Sequence, residues 1–155
     1  MKETKDRVDD ALHATKAAIE EGIVPGGGAA LLYAREAITR SRSELDSDVY
    51  IGKQIVYKAC AAPFMKILTN AGYSEGECYG LINGLEGDDN WKGYNIKTEA
   101  YENMKDAGII DPSKVTRNAI ENAASIAGTV LLTESAIVEI NLDKESEASG
   151  MPGMY

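Results

Sequence analysis

The segment that most constrains the fold begins at Asp111-Pro112 and carries a wide apolar stripe. Asp is a favoured N-cap residue, and Pro fits the first helical position because the first N–H groups of a helix have no acceptor within it. Apolar residues then recur at helical spacing over more than one face: Val115, Ala119, Ile120, Ala123, Ile126, Ala127, Val130 and Leu131. We therefore predict a long helix from Asp111 to about Leu132 that is buried on more than one side.

The N-terminal segment, roughly Lys2 to Glu21, shows a second helical pattern. Spacings of four, seven and eleven residues stack one face of this helix: Val8, Leu12, Thr15 and Ile19. Gly22 follows as a left-handed C-cap. The turn Ile23–Gly28 then opens an Ala- and Leu-rich helix that we expect to end near Thr39.

Proline and polar residues divide the middle of the chain. Arg40 to Ser47 is predicted to be a loop, and a helix with apolar residues from Val49 to Ala59 follows it. Pro63 cannot donate the hydrogen bond that a helix interior requires. We therefore predict a break at Pro63 and a new short helix over Pro63 to Asn70.

The next segment contains a helix start and an alternating pattern. The Ser-x-x-Glu spacing at Ser74 is typical of a capping box and predicts a short helix, because Gly76 and Gly80 weaken it. The residues Trp91–Asn95 alternate and predict a strand that forms a hairpin with residues after Thr98. Tyr101 to Ala107 is predicted to form one or two helical turns.

The C-terminal region contains a candidate strand and a polar tail. Ala136–Ile140 is typical of a strand, although no partner for it is obvious in this chain. Residues 141–155 are polar and are predicted to be a flexible tail. With only 6% aromatic residues, the core must come mainly from Ala, Ile, Val and Leu, which favours helices. The predicted fold is mainly α, a helical bundle with a small β-hairpin and a terminal strand.

Charge and cysteine content exclude several classes of function. The net charge of −9 argues against binding to nucleic acid or to anionic membranes, and no apolar run is long enough to span a bilayer. Cys60 and Cys78 have neither metal-site nor disulfide-framework spacing, so we expect a reducing, cytoplasmic location and no metal site in this chain.

Few residues are candidates for chemistry. The turn Gly26–Gly28 opens a helix and could bind a phosphate through its backbone N–H groups, or could simply permit a sharp turn. Asp10 lies opposite the apolar stripe of its helix, which is typical of a solvated charge, and Asp111 has the position of an N-cap. His13 is the one histidine, so a catalytic triad based on histidine has little support.

Several blocks of sequence closely resemble one known family. They preserve order and spacing over nearly the whole chain, and they are Arg7–Gly28, Gly93–Asn95, Tyr101–Met104, Gly108–Arg117, Asn122–Gly128 and Leu132–Glu134. These blocks are similar to the group I chaperonins (the GroEL family). The resemblance implies that residues 1–21 form the descending helix of the intermediate domain. It also implies that residues 22–140 form the C-terminal half of the equatorial ATP-binding domain, followed by the tail at 141–155.

The resemblance implies a function for the whole subunit. Such subunits form double heptameric rings that hydrolyse ATP, enclose unfolded client proteins and work with a co-chaperonin. The remaining wall of the nucleotide pocket, including the Mg²⁺ ligand, is expected in segments that this sequence does not contain. This part alone is therefore expected to be inactive.

The resemblance also assigns roles to individual positions. Asp10 matches the catalytic carboxylate that positions the attacking water, and Gly27 matches a backbone contact to the nucleotide. Asn95, Ile96 and Lys97 match the residues that hold the adenine base. Asp111 matches the residue that binds the ribose hydroxyls.

Two features depart from the family pattern. Lys97 stands where the family has a small or neutral residue, and the tail that ends at Tyr155 is a shortened form of the family's Gly-Gly-Met repeat. These departures leave an alternative open, a divergent helical interaction module that has the chaperonin fold but does not turn over ATP.

Overall fold

A computed structural model describes residues 2–39, 48–85 and 89–138 of the chain. Its elements, in chain order, are α1 (Lys2–Glu21), β1 (Ile23–Pro25), α2 (Ala29–Thr39), α3 (Asp48–Asn70), α4 (Glu75–Asn83), β2 (Lys92–Asn95), β3 (Ala100–Asn103), β4 (Ile110–Pro112) and α5 (Ser113–Leu131). The chain divides into two units, residues 1–121 and 122–155. The prediction of a mainly helical fold with a small hairpin is confirmed.

The first two helices have the predicted positions. The first helix ends at Glu21, and Gly22 follows in the left-handed conformation with φ of +82°, which glycine adopts without the steric cost of a Cβ atom. The Gly22 N–H closes the last turn on the carbonyl of Ala18 at 2.8 Å. The second helix ends at Thr39, as predicted. The loop predicted for Arg40–Ser47 lies outside the described residues.

The predicted break at Pro63 is wrong, because α3 continues through this residue to Asn70. Pro63 and Ala59, whose carbonyl loses its helical partner, both lie on the exposed side of the helix, where water can hydrogen-bond the free carbonyl. On the opposite side, Ala61 and Phe64 flank the proline and are buried, so packing stabilises the helix on both sides of it.

The capping box and the hairpin are confirmed, whereas the helical turns predicted for Tyr101–Ala107 are wrong. Ser74 accepts from the N–H of Glu77, whose side chain accepts from the Ser74 N–H at 2.8 Å. Residues 101–103 belong instead to β3, which pairs antiparallel with β2 and places Tyr101 opposite Tyr94. The inter-strand hydrogen bonds outweigh the local helical preference of this short segment.

A second antiparallel pair, β1 with β4, was not predicted. Val24 lies opposite Asp111, so Asp111 belongs to a strand and is not the N-cap of α5, which begins at Ser113. The N–H of Ser113 donates to the carbonyl of Gly22 at 3.0 Å. The backbone around Asp111 was predicted to begin a helix, but it pairs instead with β1, a segment distant in the sequence.

Ion pairs join the end of α1 to the start of α5. Arg117 contacts Glu21 through two guanidinium nitrogens, at 2.7 and 3.0 Å, and also pairs with Glu121. Lys114 pairs with Glu20. Arg117 lowers the pKa of the Glu21 carboxyl because its hydrogen bonds, together with its positive charge, favour the ionised form.

The core lies where α2, α3 and α4 meet. Its buried members are Leu32, Ala61, Phe64, Leu68, Cys78, Ile82 and Leu85. The prediction that α5 is buried on more than one side is wrong, since none of its residues is buried and Ile126 is 66% exposed. A wide apolar stripe makes burial favourable, but burial also requires a surface to pack against.

The predicted terminal strand is not formed by residues 136–138, which belong to no strand, and its last two residues lie outside the described part of the chain. A strand requires a hydrogen-bonding partner. The predicted tail at 141–155 also lies outside the described residues. No helix in the described ranges is long and apolar enough to cross a bilayer.

Candidate functional site

A cavity of about 280 Å³ lies where the glycine turn, the hairpin, α3 and the segment before β4 meet. The residues that line it come from four separate parts of the sequence: Gly27, Phe64, Ile67, Leu68, Tyr94, Asn95, Ile96, Lys97, Ala107 and Ile109. Its volume lies near the lower end of the range for small-molecule sites.

The glycine turn is held against two neighbours. The N–H of Gly26 donates to the carbonyl of Ile109 at 2.9 Å. A Cβ atom at Gly28 would lie 2.8 Å from the backbone nitrogen of Phe64, so only glycine allows this close approach to α3. These contacts fix the main chain on both sides of Gly27.

Gly27 itself faces open space. Its φ is +67°, and a Cβ atom at this position would meet no other atom within 4 Å. The next helix begins at Ala29, so the turn lies directly before a helix N-terminus, where unpaired N–H groups and the helix dipole favour an anion. The turn therefore has both the space and the polarity for a phosphate group beside the cavity.

The hairpin presents its turn to the same cavity. The Asn95 side chain stabilises this turn, because its amide donates to a carboxylate oxygen of Glu102 and its carbonyl accepts from the Lys97 N–H at 3.0 Å. Glu99 closes the turn with φ of +52°, a conformation rarely adopted outside glycine. The backbone near Asn95 is thus held by local contacts.

The opposite wall is apolar. Phe64 and Leu68 lie one helical turn apart on α3, are 2% and 1% exposed, and belong to the core. Tyr94 and Ile96 face them from the hairpin side and pack against the same core cluster. The space between these walls forms an apolar slot that is lined by aromatic and aliphatic side chains.

Four of the six predicted site residues line this one cavity: Gly27, Asn95, Ile96 and Lys97. Asp111 does not line it but lies two residues beyond Ile109, and burial raises the pKa of the Asp111 carboxyl. Asp10 does not line it either and lies on an exposed part of α1.

The sequence interpretation missed several residues of the cavity wall. Tyr94 immediately precedes Asn95, and Ile109 lies two residues before Asp111. Their closeness to these two predicted site residues was the signal that could have identified them. Phe64 and Leu68 share one face of α3 and both lie in the short helix predicted from Pro63 to Asn70, but no local pattern indicated which other segments this face would meet.

Acidic and basic residues near the cavity do not form a metal site. The described ranges contain no cluster of three or more His, Cys, Asp or Glu side chains that could hold an ion. The cavity thus combines a backbone turn directly before a helix N-terminus with an apolar slot.

Comparison with known proteins agrees with this architecture. A crystal structure of a group III chaperonin in the open state is similar to this chain, with a TM-score of 0.69 and 25% sequence identity over 78% of the chain. The match covers 25% of that chaperonin, so this chain spans about a quarter of its length. The TCP-1/cpn60 chaperonin family model matches residues 1–141. Because this match covers most of the sequence, the chain belongs to the TCP-1/cpn60 chaperonin family.

Proposed function

We propose that this chain is part of an ATP-dependent chaperonin subunit that encloses unfolded client proteins and assists their folding. The observation that carries this proposal is the shared cavity, because Gly27 and Asn95–Lys97 are distant in sequence and line the same space. The whole subunit works in the cytoplasm as a group I chaperonin, in double heptameric rings and with a co-chaperonin. Similarity to group I in the sequence blocks supports this finer assignment.

The nucleotide is proposed to bind with its base in the apolar slot. Ile96 and Lys97 contact the base together with the backbone of Asn95, whose side chain is already engaged with Glu102. Gly27 contacts the phosphates through its main chain, since a side chain there would occupy the open space beside the turn. Asp111 binds the ribose hydroxyls, which can donate to a carboxylate.

Asp10 is proposed to act on the attacking water as a general base. Its carboxylate accepts the proton of the water and orients its oxygen towards the terminal phosphate. Mg²⁺, when bound with ATP, supplies positive charge that stabilises the negative charge developing on the phosphate oxygens. We expect the ligands of Mg²⁺ outside this chain, and because the chain supplies one wall of the pocket, we expect it to bind ATP weakly by itself.

The test of turnover is ATP hydrolysis by the full-length subunit. The substitution Asp10→Ala should slow hydrolysis by about a hundredfold or more, while ATP still binds. Asp9→Ala is the matched control, because it removes a carboxylate from the adjacent position on a different face of α1. Equal loss in both variants, or hydrolysis that survives Asp10→Ala, would contradict the assignment.

The test of the phosphate contact is ATP affinity after Gly27→Ala, measured by calorimetry. The added methyl group should weaken binding at least tenfold because it occupies space that the phosphate needs. Gly72→Ala is the control, since Gly72 also has positive φ (+99°) and open space but does not line the cavity. Similar affinity in both variants would argue against a phosphate at Gly27.

The departures at Lys97 and in the tail support one alternative, a helical interaction module without ATP turnover. Absence of ATP binding by the full-length protein would favour this module and refute the proposed function. Client refolding that requires both ATP and a separate co-chaperonin would support the group I assignment, and refolding without a co-chaperonin would oppose it.

A further inference from the structure

A pair of tyrosines connects the cavity wall to the segment between α3 and α4. Tyr94 lines the cavity, and its hydroxyl lies 3.1 Å from the hydroxyl of Tyr73, which does not line it. The two rings are perpendicular, with an interplanar angle of 89° and centroids 6.0 Å apart. Both side chains are partly buried and pack against the core cluster. The Tyr73 hydroxyl can therefore fix the position of a ring that forms the wall.

Other tyrosine hydroxyls hold the rest of the hairpin through backbone acceptors. Tyr33 of α2 donates to the carbonyl of Lys92 at 2.7 Å, at the start of β2. Tyr101 of β3 donates to the carbonyl of Leu81 in α4 at 3.0 Å. These bonds fix the base of the hairpin and its outer strand. At Tyr94 the backbone of β2 pairs with Tyr101 of β3, and the two rings are in edge contact with centroids 5.3 Å apart. The Tyr94 hydroxyl is in turn held by the Tyr73 hydroxyl.

The pair of hydroxyls is suited to positioning rather than to chemistry. Each hydroxyl can donate one hydrogen bond and accept others, so either tyrosine can be the donor. Phenylalanine at either position keeps the ring packing and removes only the bond. The Tyr94 ring would then be held by its packing against Tyr101 and the core without the bond at its hydroxyl, so the wall of the slot would be positioned less precisely.

We propose that Tyr73 is a positioning residue that acts through Tyr94 on the base-binding end of the cavity. The proposal rests on the proposed function, because it assigns the slot beside Tyr94 to the base of the nucleotide. Tyr73 contacts neither the nucleotide nor the reacting atoms, so it influences how well the base is held and leaves the hydrolytic step unchanged. It is a determinant of nucleotide affinity located outside the cavity.

The experiment compares steady-state ATP hydrolysis by the full-length subunit and by its Tyr73→Phe variant. One net hydrogen bond corresponds to about a fivefold change in an equilibrium, so KM should rise by about this factor while kcat stays unchanged. Tyr94→Phe removes the other hydroxyl and should raise KM equally. The double variant should be no worse than either single variant, since all three lack the same bond.

Tyr79→Phe is the matched control, because Tyr79 lies on α4, is 56% exposed and does not line the cavity. Its KM and kcat should equal those of the unsubstituted subunit. Three results would each overturn the positioning role while leaving the proposed function intact. They are an unchanged KM in Tyr73→Phe, a fall in kcat as large as the rise in KM, and additive effects in the double variant. Failure of the unsubstituted subunit to bind ATP would instead refute the proposed function, and the positioning role with it.

Discussion

The helices α3 and α5 are both long, with 23 and 19 residues, but they differ in what they bury. The first contributes Cys60, Ala61, Phe64 and Leu68 to the interior, whereas none of the residues of α5 is buried. The apolar residues of α5 are the more strongly segregated to one side of their helix. Amphipathic patterning therefore did not determine which helix is buried.

The difference shows that burial of a helix requires a second apolar surface that packs against it, and that the apolar pattern of the helix alone does not suffice. Leu68 packs where α2 and α4 also contribute apolar side chains, as Leu32 and Ile82 do. Ile126 and Val130 of α5 are 66% and 62% exposed. Under the proposed function, we expect another segment of the full-length subunit to cover this stripe, because the chain spans about a quarter of the similar chaperonin.

The largest expected effect compares the two helices directly. Leu68→Ala should lower the free energy of unfolding by about 3 kcal/mol, because it leaves a cavity in the packed core. Ile126→Ala should cost less than about 1 kcal/mol in this chain, since the side chain is already exposed to water. Denaturant unfolding measures both, and equal losses would contradict the difference between the helices.

A second prediction concerns the contact between the glycine turn and α3. Gly28→Ala should cost about 2 kcal/mol, because the methyl group would meet the backbone of Phe64 and the residue has φ of +81°. Gly72→Ala, which has a positive φ but free space, should cost only about 1 kcal/mol. Thermal unfolding distinguishes the two variants, and similar melting temperatures would show that the turn does not pack closely on α3.

A smaller effect is expected from the ends of the helices. Ser74→Ala should destabilise the protein by about 1 kcal/mol, because it removes the side-chain part of the capping box of α4. Ser113→Ala at the start of α5 should change stability by less than about 0.5 kcal/mol, since the backbone bond from residue 113 to Gly22 remains. Hydrogen exchange of the first turn of α4 and of α5 measures the two effects. Equal loss of protection in the Ser74→Ala and Ser113→Ala variants would contradict the predicted difference.

The smallest effect concerns pH and Asp111. Burial raises the pKa of this carboxyl in the folded state, so ionisation destabilises the fold as the pH rises from the ordinary range of Asp through the raised value. Asp111→Asn should therefore increase stability at pH 7, by no more than about 0.5 kcal/mol because solvent screens the group. The gain in stability should disappear at pH 3. A loss of stability in Asp111→Asn at pH 7 would contradict a raised pKa of Asp111 in the folded state.

Local patterns predicted the elements whose signals are short-range. The helix over Lys2–Glu21, the C-cap at Gly22 and the capping box at Ser74 all depend on residues within one or two turns. For the same reason Asn95–Lys97 could be located at the hairpin turn from alternation and resemblance. Local patterns could not predict that Phe64, which lies on α3, lines the same cavity as Asn95–Lys97.

The amino-acid sequence by itself determined where most helices lie, the sharp turn at the glycines and the family to which the chain belongs. Tertiary structure decided that α3 continues through Pro63, that Asp111 pairs with Val24 in a sheet and that none of the residues of α5 is buried. Helical periodicity and capping are local properties, whereas strand pairing, burial and the shape of a cavity depend on which distant surfaces meet.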